Sequence, residues 1–248
     1  MNDVLRSHMD HLHERLDDLH ERVDEAIAEV KPKLRGWLHA GTAPLTLAAG
    51  IVLVVLSPSA ASRIGSAVFA VSAVVLFSVS AVYHRGRWSP RTHEILKRFD
   101  HSNIFLLIAG SCTPFALLLL EGTDRWLMLA ITWGGAISGV LMKVLWGGAP
   151  RWISAPVYIA LGWAPVFFFG GFVRGALAEY GPGVGVAVIT LIVVGGALYT
   201  MGGVVYGTKR PNPWPRWFGF HEVFHGFTVV AFVAHYVGVS LATYSLAG

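Results

Sequence analysis

The chain has 248 residues, of which 54% are hydrophobic and only 14% charged, where soluble domains carry about 25% charged residues. With a mean hydropathy of +0.56, this composition excludes a disordered chain and argues against a water-soluble enzyme, and a lone cysteine, Cys112, excludes a disulfide scaffold. The formal net charge is +4, yet the basic residues alternate with apolar stretches and form no single patch, so membrane topology explains them and nucleic acid is not an expected partner.

The first thirty residues are charged throughout. That predicts no cleavable secretory leader, which needs an early apolar core. Leu5, Leu12, Leu19 and Ala26 recur every seven positions, and Met9, Leu16, Val23 and Val30 form a second heptad series. The pattern predicts a cytoplasmic amphipathic helix within a first unit, residues 1–36, ending near Pro32. Its narrow seam offers a route to homo-oligomerisation through a short coiled coil; lying on the membrane surface or packing on the loops are the competing readings. His8, His11, His13 and His20 read as solvated positions of that helix.

Seven apolar stretches follow, at 38–56, 64–83, 104–120, 126–146, 153–173, 184–207 and 220–246. Each approaches or exceeds the roughly 20 residues needed to cross about 30 Å of hydrocarbon. Short Gly-, Pro- and Ser-containing connections separate them, such as Ser57-Pro58-Ser59 and Pro211-Asn212-Pro213. The expected fold is an all-α integral membrane bundle of seven transmembrane helices over residues 37–248. Sixteen of the 19 Lys and Arg residues fall on the N-terminal side of this arrangement, leaving only Arg63, Arg125 and Arg174 on the other. The positive-inside rule then predicts a multi-pass plasma-membrane protein with a cytoplasmic N-terminus and an extracytoplasmic C-terminus. Lys143 is expected to snorkel to the cytoplasmic interface.

Ionisable residues in or beside spans are few, and they usually mark a site. Span order places His84 at the end of span two, Asp100 just before span three, and His221 and His225 at the start of span seven, all at one membrane depth. His221 and His225 are four apart and share a helix face. With His84 they offer three imidazoles, the ligand count of a catalytic zinc site with one position open. Asp100 is then placed to orient a water and take its proton, while Ser80 shares the face of His84. Two plainer readings compete: Asp100 as an ion-pair partner for loop cations, and the two histidines as polar caps. The run His221-Glu222-Val223-Phe224-His225 also fits the H-E-x-x-H pattern, in which Glu222 would be a protease base. Glu222 reads instead as structural, a partner for Arg216 or for a loop amide. His101 reads as supporting the site from behind, and His235 as a hydrogen-bonded group between helices, too far from His225 to share one metal.

Ser80-Ala81-Val82-Tyr83-His84 resembles the S-x-x-x-H element of the hemolysin III family, of the progestin and adipoQ receptor (PAQR) group. Asp100-His101-Ser102-Asn103-Ile104 with Ala109-Gly110-Ser111-Cys112-Thr113-Pro114, and Gly219-Phe220-His221-Glu222-Val223-Phe224-His225, resemble its two other elements. The resemblance runs from about His39 to the C-terminus. It implies seven helices and zinc near the cytosolic leaflet, with His84, His221 and His225 as metal ligands, Asp100 holding a water and Ser80 lining the site. It also implies ceramidase-like chemistry among eukaryotic relatives and a role in membrane-lipid homeostasis in the bacterial branch.

Together these readings lead to an integral-membrane zinc-dependent hydrolase of a lipid amide or ester, with Asp100 as general base. The alternatives are a non-enzymatic membrane receptor or sensor with structural zinc, and a pore-forming haemolysin. No span carries the row of polar residues an aqueous pore would need.

Overall fold

The computed structural model describes residues 32–146 and 149–247, together with Arg15. The amphipathic helix and heptad seam expected upstream of Pro32 lie outside the described residues. Among the described residues every regular element is helical, apart from one isolated bridge between Trp214 and Phe218. In chain order they are α1 (Trp37–Val55), α2 (Ala60–Arg85), α3 (Pro90–Leu119), α4 (Gly122–Leu145), α5 (Arg151–Gly162), a 3-10 segment (Ala164–Phe168), α6 (Phe169–Thr208), α7 (Phe220–Tyr244) and a closing 3-10 turn (Ser245–Ala247).

The starts of α2 and α3 follow from their caps. The Ser59 hydroxyl accepts the Ser62 N–H, and the Ser62 hydroxyl accepts the Ser59 N–H in return. Ser89 caps α3, with Pro90 in its first turn. α3 therefore begins well before the apolar stretch at 104, and Asp100 lies on the helix itself. The added turns are polar and supported by charge pairing: Arg98 Nε donates to Glu94 at 3.3 Å, and its guanidinium reaches the Val144 carbonyl at 2.9 Å.

Among the described residues, six segments are long and apolar enough to cross a bilayer, the fifth being the unit Arg151–Thr208 that joins α5 to α6. At 58 residues it would extend about 87 Å if straight, against about 30 Å of hydrocarbon. It is not straight. Gly181 breaks α6 with φ 69° and ψ −177°, followed by Pro182, and the chain doubles back there. Gly185 packs on the Ala176 carbonyl, Trp163 Nε1 donates to Thr200 Oγ1 at 3.2 Å, and Gly203 and Gly207 lie against Ile159 and Ala155.

Phe69, Phe77, Leu119, Phe172 and Phe232 build the principal core between α2, α3, α6 and α7. The outer faces are the reverse of a soluble surface: Leu45 is 71% exposed, Val55 69% and Phe167 88%, a continuous apolar exterior suited to lipid. One exterior expectation fails. Lys143 does not snorkel; it is buried and donates to Ser154 Oγ. The hydroxyl of the neighbouring α5 lies close enough to hold the ammonium inside the bundle.

Candidate metal centre

The last turn of α2, the third turn of α3 and the first turn of α7 meet at one end of the bundle. α2 delivers His84 from its final turn. α7 starts at Gly219, whose N–H is accepted at 2.8 Å by Glu222 Oε2. This cap fixes where the helix begins, and so aims His221 and His225, one turn apart, at His84. All three imidazoles are buried, and one nitrogen from each lies within 4.8 Å of the others. The Nε2 atoms of His84 and His221 are 3.2 Å apart. Two nitrogens bound at 2.0–2.1 Å to one tetrahedral zinc stand about 3.4 Å apart, so the spacing fits a shared ion. The buried Nδ1 of His225 has no hydrogen-bond partner. Three imidazoles with an orphaned buried nitrogen are a donor set suited to zinc.

Asp100 approaches from α3. Its Oδ2 is 3.6 Å from His84 Nε2, and the carboxyl is nearly buried. Ser80, one turn before His84, is 1% exposed; its hydroxyl is directed at Asp100 without closing a hydrogen bond. His101 turns away, toward α6. Its Nδ1–H donates to the Lys97 carbonyl at 2.7 Å, which leaves Nε2 to accept the Tyr206 hydroxyl at 3.0 Å. His101 thus anchors α3 to α6 behind the cluster. Glu222, fully buried, points away from the histidines: Oε2 holds the Gly219 amide and Oε1 accepts Arg35 Nε. Its cation is Arg35, not Arg216.

One contributor was overlooked in the sequence. His39, in the first turn of α1, stacks on His225 with ring centroids 3.8 Å apart and planes 11° from parallel. It is buried, and Phe77 closes its edge. The signal was available: α1 begins on the side where α2 ends, so its first turn shares their depth.

The cluster opens into a cavity of about 530 Å³ running through the bundle, lined chiefly by α3, α5, α6 and α7, with His39 from α1, Leu76 and Ser80 from α2 and Met128 from α4. Its walls are mostly apolar, including Leu107, Phe115, Met128 and Phe172, with Asp100, Ser80 and His225 at one end.

Fold and site define a class: a multi-pass helical membrane protein whose helix ends enclose a buried histidine cluster beside an apolar cavity. The chain belongs to the family described as haemolysin-III related, whose profile matches residues 27–236. It is similar to "Hemolysin-3" of Bacillus cereus, 32% identical over 173 residues, covering 68% of this chain and 74% of that protein. It is likewise similar to "Hemolysin-3 homolog" of Bacillus subtilis (strain 168), 30% identical over 162 residues, or 65% and 69% of the two chains. The family resemblance read from the three sequence elements is borne out.

Proposed function

We propose that the protein is a zinc-dependent integral-membrane hydrolase that cleaves a lipid amide or ester and takes part in membrane-lipid homeostasis. The reading is carried by one juxtaposition: three buried imidazoles and a carboxyl group at the end of an apolar cavity of about 530 Å³. His84, His221 and His225 would hold the zinc, which when bound supplies a Lewis acid for the carbonyl and an acidified water. Asp100 accepts a proton at its carboxylate and returns it to the leaving amine or alcohol. Ser80, directed at the same carboxyl, orients it. The apolar walls hold the acyl chain and keep bulk water from the reacting end, which favours a lipid over a polar substrate.

In this reading the chain crosses the plasma membrane seven times, with the hairpin at Gly181 separating the fifth and sixth crossings. The charge bias sets the N-terminus and the metal centre on the cytoplasmic side. The unit expected at residues 1–36 lies largely outside the described residues, and self-association through its heptad seam rests on the sequence pattern alone.

The test is Asp100→Asn, assayed with a panel of N-acyl and O-acyl lipids alongside metal analysis. The hydrolase reading expects zinc to be retained and release of fatty acid to fall by at least a hundredfold, the contribution typical of a general base. Unchanged fatty-acid release in the variant would overturn the role of Asp100. Absence of release by the wild type with retained zinc would favour the receptor reading, in which zinc ties α2 to α7.

A further inference from the structure

The far end of the cavity carries polar groups that the proposed reaction does not use. His235 lies on α7 ten residues beyond His225, about 15 Å further along the helix axis. Its Nε2 is 3.3 Å from the Ile192 carbonyl. A carbonyl accepts only, so Nε2 carries the proton and Nδ1 presents a bare lone pair. That Nδ1 is buried and without a partner. The Tyr199 ring stands edge-on to the imidazole, 5.5 Å between centroids. The Ser111 hydroxyl lies beside that of Tyr199, and neither closes a hydrogen bond. His235, Tyr199 and Ser111 all line the same cavity as Asp100.

Of these three buried polar groups, the imidazole nitrogen has no partner and the two hydroxyls have only each other nearby, which is costly unless something fills the space they line. One is an obligate acceptor, and the other two are hydroxyls that donate or accept. Together they suit a guest that is itself both donor and acceptor. Among the described residues that line the cavity Asp100, at the opposite end, is the only ionised type apart from histidine, so the guest group is uncharged.

We infer that His235, Tyr199 and Ser111 form a second subsite that binds a hydroxyl carried on the aliphatic chain of the lipid. The inference rests on the hydrolase reading for where the head of that chain sits. An extended chain advances about 1.2 Å per bond, so 15 Å corresponds to about twelve bonds from the carbonyl held at the histidine cluster. The cavity would thereby favour acyl chains hydroxylated near their middle over plain ones.

The experiment is displacement of a fluorescent fatty acid from the full-length protein in detergent. Three competitors are compared: plain octadecanoic acid, the same acid hydroxylated at its twelfth carbon, and the acid hydroxylated at its second carbon. The mid-chain hydroxy acid is expected to bind about tenfold tighter than either of the others, the gain of one to two well-made hydrogen bonds. Tyr199→Phe and Ser111→Ala remove only a hydroxyl each and are expected to bring that ratio toward one. Equal displacement by all three acids overturns the subsite, leaving a water-filled recess, while keeping the cavity as an acyl site. A tenfold ratio that persists in both variants also overturns it. Displacement by none of the acids overturns both the subsite and the acyl-binding reading on which it rests.

Discussion

Glu222 shows how a residue can carry the letters of a catalytic motif and do other work. Within H-E-x-x-H it occupies the position of a protease base, but one carboxylate oxygen takes the Gly219 amide and the other takes Arg35. Removing one member of a buried charge pair leaves its partner uncompensated and typically costs about 3 kcal/mol or more. Glu222→Ala is therefore expected to lower the apparent melting temperature clearly, and Glu222→Gln, which can still hydrogen-bond, to lower it less and to keep lipid hydrolysis. A Glu222→Gln protein of normal stability that has lost all activity would instead favour the protease reading. The Arg35 partnership was not legible in the sequence. It depends on residues 33 and 34 donating their N–H groups to the Arg216 and Trp217 carbonyls at 3.1 Å, a pairing across most of the chain with no local signature. The structural role of Glu222 was legible, because the position after His221 points away from the histidine face.

Among the elements, the Arg151–Thr208 segment depends most on a single backbone position. Gly181 adopts φ 69° and ψ −177°, a region essentially reserved for glycine, where a side chain costs on the order of 1–3 kcal/mol. Gly181→Ala is expected to destabilise the protein by about 2 kcal/mol on that basis. Gly183→Ala is expected to be near neutral, since an added Cβ at Gly183 would meet no atom within 4 Å. Thermal unfolding of the two variants in the same detergent checks the contrast, and equal melting would contradict a turn that depends on Gly181. The two apolar runs at 153–173 and 184–207 were legible because Tyr180-Gly181-Pro182-Gly183 punctuates them. The 3-10 segment Ala164–Phe168 was not, since its composition matches the helices beside it. The start of α3 was misplaced for a related reason: hydropathy marks where lipid begins, whereas the cap at Ser89 marks where the helix begins.

Across the whole molecule, span order and charge bias were enough to bring His84, Asp100, His221 and His225 to one depth, because alternation leaves little choice of side. The same alternation covers His39, which escaped notice because it stands outside the motif elements. The cavity could not be read from sequence, since its walls draw on all seven helices, whose rotation about their own axes is set by packing. The orientation can be tested in a Cys112→Ser background with single cysteines placed at Glu121, between α3 and α4, and at Pro211, between α6 and α7. An impermeant maleimide added to intact cells is expected to label Glu121→Cys and spare Pro211→Cys; the opposite pattern would invert the assigned topology. The claim on which the functional reading depends is that imidazoles from α2 and α7 share one ion. Metal analysis of the purified full-length protein tests it most directly. The expected result is about one zinc per chain, lost in His84→Ala and His225→Ala and retained in Glu222→Gln. Full zinc content in both histidine variants, or a folded wild type that takes up no zinc, would contradict it.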